Sequence, residues 1–440
     1  MKKGLFFIIF LIWTVLLACS KKDSPLAISK KVSEIHLFGG SQNEEAQAVV
    51  ATQDGGYLVL ANTQSSDGDI TGKTTEDYDL WLLKFDANHE LLWQKIIGHA
   101  NNDKGNSIIP TPDGGWLIAG STQDAQPDQN NTTQVWLVKI DSQAQLLWEK
   151  TYGYAGVDVA YDILATTDGG FLVSGIIDVT ASNGAGNSKG KAQKHAGGDY
   201  WVLKLDAAGN LQWSRYFGGS YTDTAQDALA LSDGSFLILG TSDSEDVDIS
   251  KNKGTYDLWL LRISADGRML WEKSFGGTQI DEGVKMQPIS SSEVMLVGTT
   301  RSTDLDAAQN KGGADVWVLT LDIDIEGAVL REKTYGGSSF DTATSLVKTT
   351  NGHYLITGNS RSADYDLTQN QGYSDAWVFT IDRQGPLQWQ VSVGGPQLDT
   401  ANDAALLADG TFVVVGTSNS SFGEAQYNHG FSDVLIFTLQ

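Results

Sequence analysis

The chain has 440 residues with 48 glycines and only 7 prolines, and its 13 Trp, 14 Tyr and 15 Phe are ample for a core, so it is not a disordered Pro/Gly sequence. A formal net charge of −24 excludes nucleic acid and acidic membrane surfaces as partners, because phosphate binding needs clustered Lys and Arg; cations or basic partners fit. The single cysteine, Cys19, excludes an intramolecular disulfide and multi-thiolate zinc or iron–sulfur sites.

Met1-Lys2-Lys3 is a basic start, followed by an apolar run from Gly4 to Ala18. The run is too short for a transmembrane helix, which needs ~20 residues, and fits the apolar region of a signal peptide. It ends in Leu16-Leu17-Ala18-Cys19, which resembles the bacterial lipobox. The resemblance implies a signal peptide over 1–18, cleavage before Cys19, diacylglycerol and palmitate-type acyl chains on that cysteine, and a tether over 19–32. Cleavage removes Lys2 and Lys3, giving −24 − 2 = −26. The alternative is an ordinary signal peptide with a chance cysteine. Ser20 after the cysteine is similar to outer-membrane sorting signals, and Ser20-Lys21-Lys22-Asp23 resembles export tags of surface lipoproteins in Bacteroidota.

Beyond the tether one unit recurs seven times. A Gly-Gly doublet or a degenerate form of it stands at Gly39, Gly98, Gly153, Gly218, Gly276, Gly336 and Gly394, spaced by 59, 55, 65, 58, 60 and 58 residues. Each interval carries four segments of period two, which predicts four strands. The first begins with an acid five residues after the doublet. The second follows a turn such as Asp54-Gly55-Gly56, Asp113-Gly114-Gly115 or Asp168-Gly169-Gly170, a strong hairpin signal. The third is Asp-x-Trp with alternation, as in Asp79-Leu80-Trp81. The fourth usually carries Trp five residues before the next glycine: Trp93, Trp148, Trp213, Trp271 and Trp389. Four antiparallel strands every sixty residues or so predict a propeller blade.

The seventh unit stops at Gln440 after its third segment, and the chain has an unmatched fourth-type segment over 35–38. The sequence therefore predicts one all-β domain over 33–440, a seven-bladed β-propeller of four antiparallel strands per blade, closed by the N-terminal strand completing the last blade, with no exposed edges. In that topology the 4→1 and 2→3 connections share one face. Tight 1→2 and 3→4 turns share the other, so binding belongs on the long-loop face.

Three sets of acids fall there. Glu44, Asp103, Asp158, Asp223, Asp281, Asp341 and Asp399 follow the doublets and form an acidic ring; Asp79, Asp199, Asp257, Asp315, Asp375 and Asp433 open the third strands. Both sets fit turn chemistry, in which Asp binds nearby backbone N–H groups. The third set is Asp-x-Asp within the 2→3 loops: Asp67/Asp69, Asp246/Asp248, Asp304/Asp306 and Asp364/Asp366. Alternate carboxylates suit calcium, which takes six to eight oxygens in irregular geometry, and they suit turn chemistry equally in kind; the EF-hand's terminal Glu is missing. The Trp residues of the third strands (Trp81, Trp136, Trp201, Trp259, Trp317 and Trp377) read as packing between blades, with Leu435 in the seventh. Blade 3 carries an insertion over 181–198 with Lys189, Lys191, Lys194 and His195, read as a surface loop or as a contact arm for an acidic partner or a neighbouring acidic blade. The six histidines lie in different phases of the repeat, and no catalytic spacing emerges; a carboxylate pair meeting at the axis is the one enzymatic arrangement left open.

The unit Gly-Gly-Ser…Asp-Gly-Gly-Tyr-Leu-Val…Asp-x-Trp-Leu-Leu-Lys…Leu-Leu-Trp-x-Lys resembles propeller repeats of secreted and lipid-anchored proteins of Bacteroidota. It is similar in outline to quinoprotein-like propellers, but a single lipidated cysteine cannot make the vicinal disulfide of the cofactor-using ones, so no quinone is expected. The resemblance implies a monomeric domain, lipid-anchored at the outer membrane or cell surface, acting as a non-catalytic binding or scaffold protein on a protein or glycan. The alternatives are a surface enzyme acting on polysaccharide and a periplasm-facing assembly factor like the propeller lipoprotein of barrel assembly.

Overall fold

The computed structural model describes residues 30–123, 132–188, 195–423 and 427–440; Cys19, the signal segment and Lys189, Lys191 and Lys194 lie outside them. Strand β1 (Val32–Phe38) begins one residue before the expected domain start. Blade 1 is β2 (Glu44–Ala51), β3 (Tyr57–Thr63), β4 (Asp79–Phe85) and β5 (Leu91–Ile97). Blade 2 is β6 (Asp103–Pro110), β7 (Trp116–Thr122), β8 (Gln134–Ile140) and β9 (Leu146–Tyr152). Blade 3 is β10 (Val159–Ala165), β11 (Phe171–Asp178), β12 (Gly198–Leu205) and β13 (Leu211–Phe217). Blade 4 is β14 (Asp223–Ala230), β15 (Phe236–Ser242), β16 (Asp257–Ile263) and β17 (Met269–Phe275). Blade 5 is β18 (Asp281–Pro288), β19 (Glu293–Thr300), β20 (Asp315–Asp322) and β21 (Ala328–Tyr335). Blade 6 is β22 (Asp341–Lys348), β23 (Tyr354–Ser360), β24 (Asp375–Ile381) and β25 (Leu387–Val393). Blade 7 is β26 (Asp399–Leu406), β27 (Phe412–Ser418) and β28 (Asp433–Leu439), with β1 as its fourth strand.

The closure is antiparallel, with Ile35 opposite Phe437, Leu37 opposite Leu435 and Phe38 opposite Val434. It places Glu34 opposite Thr438, where other blades hold their outer Trp, as in Trp389 opposite Thr380. Pairing β1 with β28 gives blade 7 the same four strands as the other blades.

Seven apolar clusters hold the ring, one at each junction. Trp81 of blade 1 packs with Val413, Val415 and Ile436 of blade 7; Trp317 of blade 5 packs with Leu237, Leu239 and Leu260 of blade 4. Leu435 fills the same place between blades 7 and 6, against Val378 and Leu355. Each of these tryptophans is buried, and such side chains are worth about 3–5 kcal/mol each on truncation. Their indole N–H groups are satisfied from the neighbouring fourth strand, by Gln94, Glu149, Ser214, Glu272, Glu332 and Gln390. The tryptophans are therefore occupied by packing, as their fixed phase predicts.

Candidate functional site

On the long-loop face the Gly-Gly doublet is the element everything else serves. In blade 6 four successive backbone N–H groups donate to side chains: Gly336 to Asp366 (3.1 Å), Gly337 to Asp341 (2.6 Å), Ser338 to Asp364 (2.8 Å) and Ser339 to the Ser362 hydroxyl (3.0 Å). A Cβ on Gly336 would collide with Asp315, and one on Gly337 with Asp364, so only glycine lets the backbone lie this close to two carboxylates. Blade 1 repeats the cradle through Asp69, Glu44, Asp67 and Ser65. Blades 4 and 5 do so through Asp248, Asp223, Asp246 and Ser244, and through Asp306, Asp281, Asp304 and Ser302.

The eight Asp-x-Asp carboxylates thus accept backbone N–H groups, and among the described residues no group of three or more His, Cys, Asp or Glu side chains gathers to hold a metal. Blade 7 shows the same logic in reverse. It lacks the pair, and Pro396 stands where Ser338 stands in blade 6, so the N–H that the first aspartate would accept does not exist.

The acidic ring differs from its sequence expectation in one respect: it lies inside the face rather than on it. Glu44, Asp103, Asp158, Asp223, Asp281, Asp341 and Asp399 are all fully buried beneath the loops. Asp341 accepts from Gly337, Ser360 and Ser362 at once. The third-strand acids are buried beside them, and the Oδ1 atoms of Asp79, Asp199, Asp257, Asp315, Asp375 and Asp433 have no hydrogen-bond partner among the described residues. Burial pushes Asp223 and Asp257 up to about 7, and Asp158, Asp199, Asp315 and Asp375 up to about 6. Of the three sets, Asp67, Asp246 and Asp364 are the ones exposed to a partner.

Cations stitch neighbouring blades across this layer. Lys253 of blade 4 reaches Asp306 of blade 5, and Lys311 of blade 5 reaches Asp366 of blade 6 at 3.0 Å. His195, at the end of the blade 3 insertion, pairs with Asp199 of its own blade and lies 3.7 Å from Asp248 of blade 4. That end of the insertion is the contact to a neighbouring acidic blade. Burial opposes the charge on His195, but Asp199 and Asp248 outweigh it and raise its pKa.

A second polar centre lies at the axis, built from residues that the sequence reading did not single out. Every first strand is bulged, and the residue after each bulge faces the ring's centre: Ala48, Ser107, Asp162, Asp227, Lys285, Ser345 and Asp403. They line a cavity of about 650 Å³. The Lys285 ammonium lies 2.7 Å from Asp227 and 3.3 Å from Asp162. Burial alone would lower its pKa; the two carboxylates hold it above the ordinary value. Each aspartate also accepts a backbone N–H from the next blade: Asp162 from Ala228, Asp227 from Met286 and Asp403 from Val49. The carboxylates meeting at the axis are thus tied to lysine and to backbone. The signal was present: each of these seven residues stands four after the acid that opens its unit.

No family model matches the chain. It is 22 % identical over 395 residues to the regulatory protein FlaEY of Caulobacter vibrioides, covering 79 % of this chain and 40 % of that protein, so it spans less than half the length of this curated relative. Among solved structures it resembles Kuenenia stuttgartiensis hydrazine synthase, with a TM-score of 0.50 at 12 % identity over 84 % of this chain and 92 % of that one. A likeness at that identity is one of fold.

Proposed function

We propose that the protein is a lipid-anchored outer-membrane or cell-surface propeller that binds a partner through its long-loop face and does no chemistry of its own. The observation that carries the binding role is the cradle. Its backbone donors are taken up by side chains, buried ones for Gly337 and Ser339 and the exposed Asp364 for Ser338, so the face is a rigid frame presenting side chains rather than free backbone, the arrangement of a recognition surface. The regulatory name of the Caulobacter relative supports a role in contacts rather than catalysis, and a propeller with a tied-off axis is consistent with it. The anchor rests on Leu16-Leu17-Ala18-Cys19, since stable membrane attachment takes more than one acyl chain.

Cys19→Ser tests the anchor: the protein should appear as a soluble or uncleaved product on fractionation. A mature, membrane-bound Cys19→Ser product would refute the lipobox. Protease shaving of intact cells then separates a surface-exposed binder, which is cleaved, from a periplasm-facing one, which is protected.

A further inference from the structure

Four of the seven 2→3 loops contain Asp-x-Asp, and the residue between the aspartates sits in a tight turn. Ile70 donates its N–H to the Asp67 carbonyl, and Ile249, Ala307 and Leu367 do the same to Asp246, Asp304 and Asp364, at 3.0–3.2 Å. The central residue has φ of 65° in blade 1 and 62°, 53° and 54° in blades 4, 5 and 6. That region suits glycine, and blade 1 has Gly68 there. Blades 4, 5 and 6 place Val247, Leu305 and Tyr365 in it, although branched or bulky side chains are disfavoured at positive φ. Burial does not compensate: these side chains are 43, 62 and 72 % exposed. Of the other non-glycine residues in that conformation, Ala144 lies inside the core and His89 packs against Tyr57, while the exposed ones, Asn183 and Glu326, are polar. An unfavourable backbone that holds apolar groups out into solvent points to function rather than to folding.

The apolar character continues around the same blades. Phe340, just before the acid of blade 6, is exposed between the guanidiniums of Arg301 and Arg361, 5.8 and 5.7 Å from its ring. Leu398 takes that position in blade 7 and Val157 in blade 3, both exposed, whereas blades 1 and 2 have Asn43 and Asn102. Apolar side chains gathered on one side of a polar rim mark an interaction surface.

We propose that blades 4 to 7 form a docking face for a polypeptide segment carrying apolar and basic side chains, with Val247, Leu305 and Tyr365 as its contact tips. This rests on the reading that the long-loop face binds a partner, and names the partner's class. Each tip is bracketed by two carboxylates, and the whole chain carries −24, so the complementary surface is basic and a second copy is repelled. Two of the three tips, Val247 and Leu305, offer no ring on which a sugar could stack, and Tyr365 and Phe340 beside Arg301 and Arg361 give the patch the aromatic and Arg composition of protein interfaces.

The test uses the full chain and a fluorescent peptide of alternating Leu and Lys, with a Ser–Lys peptide of equal charge as control. Wild type should bind the Leu–Lys peptide more tightly. The triple variant V247G/L305G/Y365G should weaken that binding by about tenfold or more while raising the melting temperature, because glycine accepts the turn. Unchanged Leu–Lys binding overturns the proposal, and an unraised melting temperature overturns the strained-tip premise. Equal binding of both peptides, unmoved by the variant, removes the tips but leaves the acidic long-loop face standing. Binding moved only by substitutions on the opposite, tight-turn face overturns the underlying reading itself.

Discussion

The two faces of the ring use aspartate in opposite ways. On the tight-turn face, Asp54, Asp113 and Asp168 sit at exposed hairpin turns. Burial is the largest single influence on Asp54 and pushes it up, but the Thr52 hydroxyl, the Lys84 ammonium and the Gly56 N–H together win and hold it at about 2. The Thr111 hydroxyl and Lys139 do the same for Asp113, and Lys204 and Thr166 for Asp168. On the long-loop face Asp158, Asp223 and Asp257 are buried, bonded to backbone and hydroxyl donors, and pushed up to about 6 or 7. One residue type thus closes turns on one side and fills a low-dielectric layer on the other. Partners decide the difference: a cation in reach lowers a carboxyl, while burial beside other carboxylates raises it.

The largest expected effect separates the faces by truncation. Asp341→Ala leaves Gly337, Ser360 and Ser362 without their acceptor in a fully buried place, and should cost about 3 kcal/mol or more. Asp54→Ala removes an exposed ion pair with Lys84 and a turn bond to Gly56, and should cost about 1 kcal/mol. Denaturation midpoints at pH 7 read both; equal costs would break the comparison.

Next in size is the response to pH. A carboxyl held at about 2 contributes stability that is present above its unfolded value near 3.9 and lost as pH falls toward 2. One raised to 6 or 7 favours folding below 3.9 and loses that contribution as pH climbs through 6 to 7. His195 and His429, both raised by their aspartates against the opposing effect of burial, add stability that likewise disappears as pH rises through their folded values. Melting temperature at constant ionic strength should therefore peak near about pH 4 and decline on both sides, Asp54, Asp113 and Asp168 of the tight-turn face contributing to the acid limb and the buried long-loop aspartates to the alkaline limb. Asp257→Asn with Asp315→Asn should flatten the alkaline limb alone. A melting temperature that rises from pH 5 to 8 would refute the assignment.

The same contrast shows what could be read in advance. The doublets, the Asp-Gly turns and the phase of Trp81 and its equivalents are identities that recur, so the blade count, the strand order and the closure of β1 on β28 were legible. The turn role of Asp54 and its equivalents was legible too, because it depends on neighbours in sequence. The axial cluster was not: the position four after the opening acid is Ala48, Ser107, Asp162, Asp227, Lys285, Ser345 and Asp403 in turn, constant in phase and variable in identity. Only the ring brings Lys285 to Asp162, a residue 123 positions away. The exposed tips were hidden for a similar reason, since Val247, Leu305 and Tyr365 share a conformation and no chemical identity with Gly68.

The smallest effect concerns calcium at Asp67/Asp69, Asp246/Asp248, Asp304/Asp306 and Asp364/Asp366. Bound calcium would stabilise the fold by RT ln(1 + [L]/Kd), about 2.7 kcal/mol at a hundredfold excess over Kd. Against this, the first aspartate of each pair accepts a backbone N–H at 2.8–2.9 Å, and in blades 5 and 6 the second also faces Lys253 or Lys311. A metal would have to displace these donors from a loop that they hold closed. Any cation also relieves general repulsion on a chain of net charge −24, so a shift with calcium alone decides nothing. Magnesium at equal ionic strength is the control, because it dehydrates reluctantly and demands a tight octahedron. The expected result is a small melting shift of equal size with both ions, from screening. A larger calcium shift that disappears in Asp246→Asn, Asp304→Asn and Asp364→Asn combined would show that the long-loop aspartates trade their backbone donors for a metal.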